Sequence, residues 1–392
     1  MKSKIKLVYL YNFALLICIL KEFFIVSVSW NLADSTLQSV LSALNYIFIL
    51  TCFLLYIVEL LVFRDYIYYL LCVPISVFVF YISQHVSAAG EDIVFSVFLI
   101  LLAKNLSLNK IVNFLFRVIL IGTFIVVVGS FLHITNNIAI NFPYGTGYSY
   151  GFGHPNTFGI VLVNILFMWI YLHPNIDLKY VFILSYIVFS IIWFVAKART
   201  SGMIAGLVPW GVLAISQMNE SMKKRISLIL IPLVLVLFAF SFYLMIEVGR
   251  KIWNMSSGFD MRFNYAYYVL SYYGIHLFGS RVPLVSTVNA SIVRQRALVL
   301  DSAYLRMLLL NGVLPTIIMG TIVIILFYRC YKNKSFLLLL IAVLYLSGAF
   351  MEHYFAYSWY NFTLIATFAN LLSSSNNYNF KNKKEHLWKL RR

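Results

Sequence analysis

The amino-acid sequence predicts an all-α, polytopic integral membrane protein, and three observations lead there. Of its 392 residues, 62% are hydrophobic and only 11% charged, with a mean hydropathy of +0.88, values that exclude a water-soluble globule. The apolar residues fall into runs near the roughly 20 residues a helix needs to cross a hydrocarbon core. Lysine gathers in alternate connections between those runs, the pattern of cytoplasmic loops.

Taken in order, the runs predict a single membrane domain over 1–392 with about 12 transmembrane helices. They cover about 7–30, 36–63, 66–82, 91–103, 111–132, 155–172, 179–196, 200–217, 226–247, 303–328, 335–351 and 354–372. Lys21 and Glu22 interrupt the first run, so it is expected to be an uncleaved helix rather than a leader. The 91–103 run is short, and a re-entrant segment there would shift the later orientation. Inward loops are expected to hold Arg64, then Lys104, Lys110 and Arg117, then Lys179, then Lys223, Lys224 and Arg225, then Arg329, Lys332 and Lys334. Both termini are then cytoplasmic, with Lys2, Lys4 and Lys6 before the first span and a basic tail over 373–392 that anchors on anionic lipid.

One connection breaks this pattern. The 248–302 segment, expected to be a long extracytoplasmic loop, carries Arg250, Lys251, Arg262, Arg281, Arg294 and Arg296. Outward loops are normally poor in positive charge, and arginine's planar fork suits phosphate, so anion recognition on the outer face is expected. The net charge of +17 does not imply nucleic acid, because no soluble domain presents these residues as one groove. Cys18, Cys52, Cys72 and Cys330 all fall in or beside spans, so no disulfide framework is expected. No internal repeat is evident.

Four short constellations stand out. In YGTGYSYGFGHPNTFG (Tyr144 to Gly159), Pro155 starts a helix with His154 and Asn156 at its positive end, where they either cap it or hold an anion or a sugar hydroxyl. In AKARTSGMIAG, Ala198, Gly202 and Gly206 form a small-residue stripe that admits a neighbouring backbone, and Arg199 either snorkels or binds at the outer end. In DSAYLRMLLLNGVLP, Asp301 is placed either to cap the following helix or to act as a general base, with Arg306 on another face. Glu352 and His353 lie at the last outward turn, within reach of the same cavity. His85, Glu91 and Asp92 form another polar group with no metal-site spacing, and D-x-D, Walker, zinc and Ser-His-Asp signatures are absent.

GFGHPNTFG (Gly151 to Gly159), ARTSG (Ala198 to Gly202), LFGSR (Leu277 to Arg281) and DSAYLRMLLLNG (Asp301 to Gly312) together resemble the Wzy-type capsule and O-antigen polymerases, over about 145–315. These are similar in turn to the O-antigen ligases. Ser302, Leu305 and Gly312 fill the places of the ligases' late motif, and Asp301 stands where they carry histidine, which favours polymerase over ligase. The resemblance implies a GT-C membrane fold in a bacterial plasma (inner) membrane and metal-independent glycosyl transfer without a cofactor. It implies polyprenyl-pyrophosphate-linked oligosaccharide as substrate, with a chain-length regulator among the partners it admits. Arg199 and Arg281 are then expected at the pyrophosphate with Arg262 in support, Asp301 or His154 at the acceptor hydroxyl, and Asn156, Arg306, Glu352 and His353 around them. Arg250, Arg294 and Arg296 rank lower. A ligase is one rival. The other is a lipid-linked oligosaccharide flippase, which would place its charges near the bilayer midplane, where only Lys21, Glu22 and Glu59 lie.

Overall fold

A computed structural model describes residues 2–28, 34–63, 65–87, 92–142, 144–251, 258–285 and 298–371. Arg64, Glu91, Arg294, Arg296 and the 373–392 tail lie outside the described residues. The order begins with α1 (Lys2–Val28), α2 (Asp34–Val62), a π-turn (Tyr68–Cys72) into α3 (Val73–Ser87), α4 (Asp92–Leu102) and α5 (Leu108–Phe131). An antiparallel hairpin, β1 (Ala139–Phe142) with β2 (Gly145–Tyr148), leads into α6 (Pro155–Leu172). Next come α7 (Leu178–Ser190, continued by a π-turn Ile191–Ala196), α8 (Arg199–Gln217), α9 (Glu220–Leu230), α10 (Leu233–Glu247) and α11 (Gly258–Tyr273). The chain continues through α12 (Ala303–Arg306, continued by a π-turn Met307–Asn311), α13 (Val313–Lys332), α14 (Phe336–Ala349) and the short α15 (Phe362–Ile365).

Among the described residues, six segments are long and apolar enough to cross a membrane: Thr36–Val62, Tyr68–Ser87, Leu108–Phe131, Pro155–Leu172, Leu178–Ala196 and Val313–Lys332. A seventh exists if α9 and α10, bent by 40° at their junction, form one span. α5 shows why such helices need lipid. Its Ile111, Val112, Leu115 and Ile119 are buried in the bundle, while Leu120, Ile121, Phe124 and Ile125 are exposed, so it is apolar on both faces.

Two expected spans are built differently. The 303–328 run is broken at Gly312, which has φ +98° and ψ 179°. A Cβ there would lie 2.3 Å from the backbone nitrogen of Gly279, so two chain segments cross where only glycine fits. The 354–372 run is not a helix. It forms a 3-10 turn (His353–Ala356), the short α15 and irregular backbone, almost all buried. Protein groups replace the missing helical bonds. Asn164 donates to the Trp359 carbonyl (2.8 Å), Asn361 to that of Phe355 (2.9 Å), and Arg329 to those of Ala366, Thr367 and Ala369. Irregular backbone is tolerated at membrane depth only where protein encloses it in this way.

The small-residue stripe on α8 also differs from expectation. Cβ atoms added at Gly202 and Gly206 would face the rings of Trp193 and Phe189, so aromatic side chains rather than a backbone fill that stripe.

The bundle has two chemically distinct ends. Residues 366–370 meet Arg329 and the Lys104–Leu108 turn at one end, where Lys223 also lies over the Phe336 ring and Tyr171 bonds Asn109. At the other end the N-terminus of α6, the N-terminus of α8, α11 and the segment after α14 converge.

Candidate active site

The start of α6 sets the first side chain. His154 is extended (φ −148°, ψ 141°) ahead of Pro155, and its Nδ1 accepts the Asn156 backbone N–H at 3.0 Å. That bond requires an unprotonated Nδ1, so the neutral ring carries its proton on Nε2. Burial, ahead of Arg262 and against the opposing effect of Asp301, lowers the His154 pKa to about 4. His154 therefore offers the site a hydrogen-bond donor at neutral pH.

Gly159, one turn further on, brings α8 alongside. A Cβ there would lie 2.8 Å from the Ala198 Cβ and 3.2 Å from that of Ser201, so the two helix starts touch. Arg199 opens α8 and is exposed, with its guanidinium 3.3 Å from the centroid of the Tyr144 ring in the hairpin turn. Tyr144 in turn stacks on Phe142 at 5.3 Å with near-parallel rings.

The centre of the cluster is Arg262. Phe263, Ala266 and Val269 of α11 bury against Met245, Leu300, Leu305 and Leu309, and this small core fixes the helix that carries it. Arg262 Nε meets Asp301 Oδ2 at 3.0 Å, Nη2 meets Glu352 Oε1 at 3.3 Å, and Nη1 donates to the Met351 carbonyl at 3.0 Å. Asn156 Nδ2 donates to the same Glu352 oxygen at 3.1 Å, closing a network from four separate parts of the chain. Asp301 is not a helix cap. Ser302 holds the cap position of α12, and its side chain makes no capping bond.

Exposure divides the two carboxylates. The Asp301 side chain is 25% exposed and Glu352 only 4%. Burial, with repulsion from Asp301, outweighs the attraction of Arg262 and lifts the Glu352 pKa to about 7. Burial alone would lower the Arg262 pKa, but Glu352 and Asp301 together raise it. The Arg262 guanidinium is thus charged, Asp301 is partly exposed, and Glu352 is a buried carboxyl with a raised pKa.

Seven of the nine candidate residues are linked here by contact or electrostatics: Asp301, His154, Asn156, Arg262 and Glu352 in the network, and Arg306 with His353 beside it. Burial, with Arg306 and then Arg262, holds the His353 pKa well below its usual value. Arg199 joins through Tyr144, whose pKa is raised by burial against the opposing charges of Arg199 and Arg262. Arg281 is exposed on the segment after α11, and among the described residues no hydrogen bond or ion pair ties it to the network. Sequence reasoning missed Tyr144 and the Met351 carbonyl. An aromatic residue in a glycine-rich turn was the one available signal for the first, and the second is backbone. Among the described residues, no group of three or more His, Cys, Asp and Glu side chains converges to hold a metal ion.

No protein-family model matches the chain, and no curated protein or solved structure matches it either.

Proposed function

We propose that the protein polymerises polyprenyl-pyrophosphate-linked oligosaccharides at the outer face of a bacterial plasma membrane, as a glycosyltransferase of the Wzy type. The observation that carries this is the convergence of Asp301 and Glu352 on Arg262, with Asn156 bonded to Glu352 beside the His154 donor, at the end of the bundle opposite the lysine-rich turns. The proposal includes a GT-C-like fold of about 12 crossings, reached by counting α1, α4, α8, α14 and the irregular 353–371 return with the seven apolar spans.

In the proposed reaction a hydroxyl of the incoming lipid-linked unit attacks the anomeric carbon of the growing chain. The new C–O bond forms as the bond to pyrophosphate breaks, the electron pair leaves on the phosphate oxygen, and the hydroxyl proton passes to Asp301. Arg262 orients Asp301 through Nε, so it acts as a positioning residue. Arg199, spread on Tyr144 and otherwise open, stabilises the charge developing on the diphosphate, with Arg281 at the approach. In this reading His154 donates from Nε2 and Asp301 takes the base role, which the unprotonated Nδ1 bond of His154 supports.

The test is reconstitution. Purified protein in lipid vesicles, supplied with a polyprenyl-pyrophosphate-linked oligosaccharide, is expected to give a ladder of longer chains and free polyprenyl pyrophosphate. A single transfer to a terminal acceptor would make it a ligase, and movement of intact substrate across the bilayer without any ladder would make it a carrier.

A further inference from the structure

We propose that the apolar cleft between α10, α12, α13 and α14 holds the hydrocarbon chain of the lipid whose diphosphate head meets the Arg199–Arg262 cluster. The inference rests on the reading above for the head group, and adds a separate site for the tail. The cleft has a volume of about 310 Å³ and is lined by residues such as Phe238, Ala303, Met307, Gly320, Ile324 and Leu346.

Every polar side chain in its wall is already engaged. Thr316 and Thr321 donate back to the carbonyls of Gly312 (2.7 Å) and Ile317 (2.8 Å). Tyr304 donates to the Leu346 carbonyl (2.9 Å), and Asn361 to that of Phe355 (2.9 Å). A polar guest would lose its hydration and find no partner, whereas a hydrocarbon loses nothing.

Position supplies the second argument. The wall includes Ala303 and Tyr304, within three residues of Asp301, and Phe355 and Ala356, within four of Glu352. A molecule anchored by its head at the cluster thus has its chain led into the cleft. From Thr316 to Ile324 the α13 wall runs nine residues, eight helical rises or about 12 Å. The cleft opens sideways past Leu235 and Ile317, 59% and 58% exposed on the lipid-facing side, so a longer chain continues into the bilayer.

Gly320 provides the test, because a Cβ built there meets no atom within 4 Å. Gly320→Leu should therefore fold normally while filling the cleft. The probe is a benzophenone-bearing farnesyl diphosphate, cross-linked to purified protein in vesicles and mapped by peptide. Wild type is expected to be labelled within 303–324. Gly320→Leu should raise the half-saturating probe concentration about tenfold, the loss expected for roughly two buried methylenes, while Ile121→Leu on the lipid face leaves it unchanged. Arg199→Lys should weaken the diphosphate probe and leave benzophenone-bearing farnesol unaffected. Labelling scattered over lipid-facing helices, or indifference to Gly320→Leu, overturns the tail site, and the polymerase reading survives if wild type still builds the ladder. Displacement of the probe by excess phospholipid as readily as by farnesyl diphosphate also overturns it, because the cleft would then be a general lipid site. Labelling in the cleft without any ladder from native substrate leaves the tail site standing and removes the polymerase.

Discussion

One guanidinium between two carboxylates leaves the group with a net negative charge when both are ionised, and burial decides which of them yields. Glu352, at 4% side-chain exposure, carries the penalty, and its pKa of about 7 follows from that burial. As pH falls through about 7, Glu352 gains a proton, the cluster loses one negative charge, and an incoming diphosphate meets less repulsion. Pyrophosphate affinity, measured by competition, should therefore rise by about tenfold between about pH 8 and about pH 6 relative to Glu352→Gln, which has no proton to gain and serves as the reference for pyrophosphate's own titration. Parallel profiles for the two proteins would show that Glu352 does not titrate in this range. Asp301 gives a second prediction. Since it forms an ion pair rather than a helix cap, Asp301→Asn keeps the shape and hydrogen-bonding reach of the side chain but removes the proton acceptor. Chain extension should fall by about 10²-fold or more at an unchanged membrane level, with single lipid-linked units accumulating. Wild-type extension by this variant would move the base elsewhere. Asp301, His154 and Glu352 were legible in the sequence because ionisable residues beside apolar spans stand out. That Arg262 rather than Arg281 holds them was not, because it depends on how α11 buries Phe263 and Ala266.

Helix contacts explain which stretches could be read and which could not. Uniformly apolar runs such as Leu108–Phe131 identify themselves, because lipid on one face and protein on the other both demand hydrocarbon. The 354–372 stretch is free of charged residues and yet is not a helix. The Ser358 backbone N–H donates to Ser96 Oγ on α4, Thr363 donates to Asn361 Oδ1 and Asn361 to the Phe355 carbonyl, and Arg329 and Asn164 satisfy carbonyls a helix would have used. Hydropathy does not encode such remote partners. The α6–α8 contact at Gly159 allows a direct test of how the two helix starts are registered. Gly159→Ala gains about 1 kcal/mol of helix propensity but forces a methyl against Ala198, an overpacking that costs about 1–3 kcal/mol. Chain extension should drop as Arg199 is displaced from Tyr144, and the added change Ala198→Gly should restore both extension and melting temperature. No rescue by the second change would show that this contact does not position Arg199.

At the scale of the whole molecule, the two ends differ in what their cations meet. Lys104, Lys223 and Arg329 sit at the end where Tyr171 meets Asn109, each engaged with a neighbouring ring, carboxylate or carbonyl. Arg199, Arg262 and Arg306 sit at the other, around two carboxylates and a neutral histidine. In the proposed orientation, which follows the positive-inside bias, the lysine end is cytoplasmic and the Arg262 cluster is outside, where a lipid-linked substrate awaiting polymerisation would stand. The hairpin and the α8–α9 turn lie at opposite ends and are both exposed, so they report the orientation without disturbing the site. In a background with the exposed Cys72 replaced by alanine, the remaining Cys18, Cys52 and Cys330 are buried. Thr146→Cys in β2 should then react with a membrane-impermeant thiol reagent in intact cells, whereas Ser221→Cys should react only after the membrane is opened. The reverse pattern would turn the arginine cluster toward the cytoplasm. Polymerisation would then have to occur before the substrate crosses, and the outward site proposed for Asp301 and Arg199 would be lost with it.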